Sequence, residues 1–379
     1  MEVYIDNSAT TKPYAEVVEV MTDILNNVYG NPSSLHSMGK KAEDYLNAAR
    51  DTIARTLGCS AHELTFTSGG TESDNLAIIG YAMANKRNGN KLITQKTEHM
   101  AVLEAFKFLE TQGFEVYYAD VDSNGMVSAE DIISHIDDKT ILVSVMHVNN
   151  ETGALMPVEK IGAAIDHKSC VLHVDAVQSY GKIDVNPKRL NADMISISSH
   201  KIHGPNGVGA LYVKKGLRLA PIIYGGKQES GLRSGTENLA AICGFAKAAE
   251  IKFARMHDTA AHVAELKEAL CTKLVSGIDN VVVNSPRDSI YAILNVSFPG
   301  LKSEVLLHIL ESKGIYVSTG SACNSKKKLS YVLSSMGIKD NVTDAAVRFS
   351  LSEFNTMEDV CYTVQVLQKE VPLLRKIMR

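Results

Sequence analysis

Between Leu64 and Val213 the chain alternates short apolar runs with amphipathic stretches. Leu64 to Thr67, Leu92-Ile93-Thr94, Ile141-Leu142-Val143-Ser144-Val145, Val171-Leu172-His173-Val174 and Ile195-Ser196-Ile197 read as buried strands. Asp74 to Lys86, Met100 to Gln112, Ala129 to Ile136 and Val158 to His167 carry helical spacing. The alternation predicts an α/β domain on a mainly parallel sheet. Loops joining strand ends to helix starts then line up along one edge, where open α/β sheets bind ligands. After Thr236 two long helical patterns run to about Ser276, and the texture then changes. A strand at Ala292 to Val296, a helix at Ser303 to Ser312 and strands near Tyr316 and Arg348 predict a smaller α+β domain. The last helix places Val360, Val364, Leu367, Val371 and Leu374 on one apolar stripe, which must pack on something. Without a repeat or a low-complexity linker, the two domains are expected to share a firm interface.

Composition narrows the function classes. The 379 residues are 45% apolar, enough for a substantial core. A net charge of -4 gives no footprint for nucleic acid, and the basic clusters Lys326-Lys327-Lys328 and Arg375-Lys376 are too short to act as polyanion-binding arms. No apolar run approaches the roughly 20 residues that cross a bilayer. The start of the chain, with Glu2, Asp6 and Lys12, lacks the apolar core of a signal peptide, so a cytoplasmic protein is expected. Six cysteines (Cys59, Cys170, Cys243, Cys271, Cys323 and Cys361) are scattered without zinc or redox spacing. All but Cys323 sit in apolar patterns and read as core; no metal is expected.

The candidate chemistry clusters at the strand ends. Ser198-Ser199-His200-Lys201 follows an apolar run and precedes Gly204-Pro205-Asn206-Gly207, which puts one lysine at a strand end beside small polar neighbours. A Schiff-base lysine would sit there. The strand Val171 to Val174 ends on a lone carboxylate, Asp175, as a cofactor with a protonated pyridine nitrogen requires. Together they suggest pyridoxal phosphate (PLP). Ser68-Gly69-Gly70-Thr71-Glu72-Ser73 joins a strand to a helix and taken alone reads as a turn; its glycines and free amides could also admit an anion, to which Ser198, His200 and Thr236 could add donors. No glycine-lysine-serine or glycine-lysine-threonine follows, so ATP is not implied, and Rossmann glycine spacing is absent. His99 precedes a helix and reads as a cap unless a site lies beside it, whereas His173 reads as packed. Asn149-Asn150-Glu151-Thr152-Gly153 ends a strand on the same edge, and Gln178 could reach the same ligand. Lys182 and Lys188 fall in a polar connection. Cys323, in Ser318-Thr319-Gly320-Ser321-Ala322-Cys323-Asn324-Ser325, lacks apolar periodicity and is expected on an exposed, mobile loop. The three lysines that follow, Lys326 to Lys328, read first as a solvated face, and they could also raise its thiolate fraction.

These residues resemble the PLP-dependent cysteine desulfurases of the NifS/IscS type, within the fold-type-I PLP enzymes. The resemblance covers essentially the whole chain, from Tyr4-Ile5-Asp6-Asn7-Ser8-Ala9-Thr10-Thr11 and Gly30-Asn31-Pro32-Ser33-Ser34 through Thr67 to Asn75 and on to Arg348-Phe349-Ser350-Leu351. It implies a large PLP-binding domain with a mainly parallel mixed sheet (16–255). A smaller α+β domain (1–15 and 256–379) would carry the catalytic-cysteine loop. Lys201 would hold PLP as a Schiff base, Asp175 would pair with the pyridine nitrogen, and Gln178 would bond the ring hydroxyl. His99 would stack on the ring and move protons. Gly70, Thr71, Ser198 and His200 would hold the phosphate, completed by Thr236 of a neighbouring subunit, which implies a homodimer. Asn150 and Arg348 would receive the carboxylate of L-cysteine. Cys323 would take its sulfur as a persulfide, leaving L-alanine, and pass the sulfur to an acceptor protein in iron-sulfur or tRNA-thiolation pathways.

Two departures from the family pattern bear on the acceptor. The loop after Cys323 is more basic and shorter than the housekeeping pattern. The sequence also stops at Arg379 without the extension that housekeeping desulfurases use to dock the iron-sulfur scaffold, which points to another acceptor such as a tRNA-thiolation enzyme. Rival readings are selenocysteine lysis, amino transfer, or a scaffold that kept the fold without turnover.

Overall fold

Seven strands form the main sheet of the computed structural model, which describes residues 1–165, 170–320 and 329–377. In spatial order they are Leu64–Thr67, Gly209–Val213, Met194–Ser198, Val171–Asp175, Thr140–Met146, Lys91–Gln95 and Glu115–Ala119. Gly209–Val213 runs against both neighbours, and the other pairings are parallel. The central strands are buried along their whole length, as a sheet covered on both faces demands. Alternate residues serve different cores. Val143, Val145 and Leu172 pack with Val17, Leu46, Ile53 and Phe245, whereas Leu142, Val171 and Met194 pack with Leu76, Phe106 and Leu109.

The mainly parallel mixed sheet matches the expected fold class. Several elements were not expected. The edge strand Glu115–Ala119 escapes the pattern because its exposed Glu115 and half-buried Val116, Tyr117 and Tyr118 give no continuous apolar run. Helices Ala15–Asn27 and Ser37–Leu57 precede the sheet and pack against Leu239–Ala254. The helix expected from Asp74 begins earlier, at Gly70, and carries a π turn at Leu76–Gly80. The helix from Val158 is described to Ile165, and His167 lies outside the described residues.

A second, antiparallel sheet orders Ser318–Thr319, Ala346–Ser350, Ile293–Ser297 and Val282–Val283. The terminal helix Met357–Ile377 buries Val360, Val364, Leu367, Val371 and Leu374 in a core shared with Leu266, Leu270, Val296 and Phe349. The stripe therefore packs on this sheet's core. Cys361, one position off that stripe, is exposed, which corrects the expectation that it is core; Cys170 and Cys243 are buried and Cys59 and Cys271 half-buried. Val3–Tyr4 pairs in parallel with Ile315–Tyr316, and Asp6 bridges to Ser350. The chain's first residues are thereby held against elements made more than three hundred positions later.

One ion pair fixes the segment leading to Thr236. Glu229 accepts from Arg50 through both oxygens, at 2.5 and 2.8 Å, and from the Phe66 amide at 2.7 Å. Glu229 and the next residue, Ser230, both sit in the left-handed region, at φ 46° and 57°, a costly conformation that the pairing holds in place. Glu229→Ala leaves the nearly buried Arg50 guanidinium and a buried amide without an acceptor. We expect a loss of about 3–5 kcal/mol, read as a lowered urea midpoint. A loss under about 1 kcal/mol would show that water replaces the carboxylate.

Candidate active site

The C-terminal ends of the parallel strands deliver the polar residues to one edge. The strand Met194–Ser198 runs into a 3-10 turn, Ser199–Lys201, which carries Lys201. Its ammonium donates to the carbonyls of Ser8 and Ala9, the second at 2.8 Å. The side-chain amide of Gln178 donates to the same Ser8 oxygen at 3.0 Å. The N-terminal segment thus ties the lysine to the loop after Asp175.

Asp175 ends its strand buried, its carboxylate accepting from the Val177 amide at 2.9 Å. Burial pushes its pKa up, while His99 and Lys201 pull it back. His99 caps the helix Met100–Thr111, its Nδ1 accepting from the Ala101 amide at 3.1 Å. His99 therefore caps the helix, and it does so within the electrostatic reach of Asp175 and Lys201. Although the residue is exposed, enough protein surrounds the ring to lower its pKa, with Asp175 opposing the shift and Lys201 adding to it. With Nδ1 accepting, the neutral ring carries its proton on Nε2. His173 is fully buried between Ser144 and Ser196 at 2.8 and 2.9 Å, as expected, and burial pushes its pKa down to about 3.

The glycine-rich turn closes on the same edge. Gly69 sits at φ 153°, and a Cβ on Gly70 would lie 2.7 Å from Val177 Cγ2, so only glycine lets the turn approach the loop after Asp175. Thr71 is exposed beside it, while Ser198 Oγ is buried with no partner among the described residues. His200 meets Thr10 Oγ1 at 3.2 Å, and burial with Lys201 and Lys182 nearby brings its pKa to about 4. Thr236 is exposed and does not line the cavity beside Lys201.

The second sheet supplies Arg348. Its Nη1 donates to the Asn150 carbonyl at 3.0 Å and its Nη2 to Asp6 at 2.7 Å. Its Nε and the Asn150 Oδ1 are buried without partners among the described residues. Cys323 and the lysines after it lie outside the described residues. On their far side, Ser330 donates to the buried Glu151 carboxylate at 2.5 Å, and the Tyr331 hydroxyl donates to the Glu98 carbonyl at 2.5 Å.

Three residues escaped the sequence reading. Asp74 and Glu98 are buried, and burial together with the Asp175 charge raises both pKa values well above the carboxylate range. Lys182, expected in a polar connection, lines a cavity of about 10 Å³ together with Lys201, Lys252 and Glu353. A lysine three residues from a half-exposed loop gives no sequence signal of such a position.

A family model described as "Aminotransferase class-V" matches residues 3–362. A relative named cysteine desulfurase IscS from Clostridium botulinum is 43% identical over 99% of this chain and 96% of its own length. A solved "NIFS-LIKE PROTEIN" superimposes with a TM-score of 0.93 at 38% identity, covering 98% of this chain and all of that one. A structure titled "SspA in complex with cysteine" gives 0.83 at 34% identity over 92% of this chain and 98% of the other.

Proposed function

The chain belongs to the aminotransferase class-V family and is a cysteine desulfurase, and from that premise we propose that PLP held at Lys201 lets it move the sulfur of L-cysteine onto Cys323, releasing L-alanine. The observation that carries the reading is the meeting of Lys201, Asp175 and His99 at one sheet edge, beside Arg348 and Asn150.

The residues fit the cofactor. Asp175 is a buried carboxylate beside Lys201 and the His99 ring, Gln178 Oε1 and Ser198 Oγ are buried without partners among the described residues, and Gly70, which has no Cβ to meet Val177, lets the glycine-rich turn reach the same edge. When bound, PLP supplies an aldehyde for an amine and a ring that accepts the electron pair released at the substrate's Cα. Lys201 supplies the amine. Asp175 would hold a pyridinium proton, Gln178 would reach the ring hydroxyl, and Gly70, Thr71, Ser198 and His200 would hold the phosphate. Arg348, oriented by Asp6 and the Asn150 carbonyl, offers Nε to the substrate carboxylate, with Asn150 alongside. Cys323 Sγ bonds to the substrate sulfur as the carbon–sulfur bond breaks, and a proton replaces sulfur on carbon.

Thr236 completes the phosphate site of a second copy in this proposal, because it is exposed and off its own cavity. Sedimentation of a dimer supports that part. The persulfide goes to an acceptor protein in iron-sulfur assembly or tRNA thiolation. No described helix is long and apolar enough to cross a membrane, and the described cysteines are free thiols, which supports a cytoplasmic setting. The deciding experiment is stoichiometric alanine and sulfide from cysteine with a thiol reductant; alanine without sulfide would favour another class-V reaction.

His99 gives a pH prediction. Its lowered pKa keeps the ring neutral further into acid than an ordinary histidine near 6.5. Any acid limb of kcat owed to its protonation should therefore fall below pH ~6.5. His99→Gln should remove that limb and lower kcat by roughly 10²–10⁴-fold. An acid limb unchanged in the variant would assign it to another group.

A further inference from the structure

Resting on the reading of Lys201 as the cofactor lysine, we propose that Lys182 is a positioning residue whose ammonium keeps the Lys201 amine in its unprotonated, nucleophilic form. The geometry places the two lysines on one small cavity with room for about one water molecule, joined by a hydrogen-bonded chain. Lys182 Nζ donates to the Gln178 carbonyl at 3.0 Å, Gln178 Nε2 donates to Ser8 O at 3.0 Å, and Lys201 donates to that same Ser8 oxygen. Two ammonium groups in so little water repel each other, and a like-charged neighbour is an established way of freeing a lysine amine for imine chemistry.

The surrounding charges leave this repulsion uncancelled on the Lys182 side. Lys252 also lines the cavity, but it is ion-paired with Glu353, whose carboxylate is further held by His203 at 3.4 Å and by the Tyr14 hydroxyl. Glu353 is therefore shared among three partners, and Lys182 has only its attenuated field. Tyr291 donates to the Lys182 carbonyl at 3.3 Å rather than to its ammonium. On the Lys201 side stand Asp175 and His99. Lys182 responds to this setting: burial, Lys252 and Lys201 bring its pKa down to about 7, with Glu353 opposing. His200, beside both lysines, is lowered as well. One charge is easier to hold in this cavity than two, so a proton on Lys182 favours Lys201 as a free amine whenever it is released from or returns to the cofactor.

The test needs no turnover. Wild-type enzyme is acetylated competitively across a pH series, and the labelling midpoints of Lys182 and Lys201 are read by mass spectrometry after cofactor release. Both midpoints are expected well below the ordinary lysine value near 10.4. In the PLP-loaded enzyme, the visible-band titration should shift upward by about one pH unit in Lys182→Met, a tenfold gain in proton affinity. It should stay near wild type in Lys182→Arg, which keeps the charge. Ordinary midpoints in the wild type overturn the proposal whatever the variants do. So does an equal shift in the methionine and arginine variants, which would mark a packing effect. Normal alanine and sulfide production alongside unshifted midpoints would sink this inference and leave the desulfurase reading standing. Absence of those products with shifted midpoints would do the reverse.

Discussion

Lys201→Ala is expected to yield a folded protein that holds PLP without a covalent bond and turns cysteine over at least roughly 10²–10⁴-fold more slowly, the span attributed to one positioned acid–base group. Folding should survive because the fully buried strand Met194–Ser198 ends before Lys201. Neither neighbouring amine can substitute. Lys252 is committed to Glu353, and Lys182 is anchored on the Gln178 carbonyl. Borohydride reduction followed by peptide mapping checks the result. Cofactor fixed to wild-type extent on the alanine variant would mean that another lysine carries it.

Cys323→Ser is expected to abolish alanine release while leaving PLP binding intact. Every cofactor contact proposed above comes from other residues, and a serine hydroxyl cannot form the sulfur–sulfur bond that a persulfide needs. The described cysteines offer poor replacements. Burial raises the thiol pKa of Cys59 to about 12 and of Cys243 to about 11, which suppresses the reactive thiolate. Cys361 is exposed on the terminal helix, off the stripe that the helix buries. Mass spectrometry after cysteine treatment should find 32 Da, the mass of about one sulfur atom, on Cys323 in the wild type and nowhere in the variant. Sulfur on a different cysteine, or normal turnover by the serine variant, refutes the assignment.

The sequence disclosed what local pattern controls. Strands buried on both faces, such as Thr140–Met146, announce themselves as apolar runs, and residues at their ends, Asp175 and Lys201 among them, follow from parallel topology. Partners created only by packing stayed hidden. Asp74 sits in an ordinary helix start, and nothing in its neighbours says that it will be buried near Asp175. Arg50 and Glu229 are 179 positions apart, and neither segment signals the other. Lys182 looked like a loop lysine because its environment comes from Lys252 and Glu353, contributed by a distant helix and a distant loop. Cys361 misled for the opposite reason, since an apolar-looking helix still has a wet side.

The segment that ties Lys201 to the rest of the site also sets an order of assembly. Ser8 and Ala9 receive the lysine, yet that stretch is held by Ile315–Tyr316 and by Ser350, whose carbonyl accepts from Asn7 across 343 positions. During synthesis the Asn7 stretch emerges long before its clamp exists, and the central sheet can form while it still waits. Closing so distant a contact adds little to stability but delays the last folding step. A nascent chain would carry a finished sheet and an unfinished lysine pocket, so cofactor capture should be a late event of biosynthesis, after the Ser350 strand has left the ribosome.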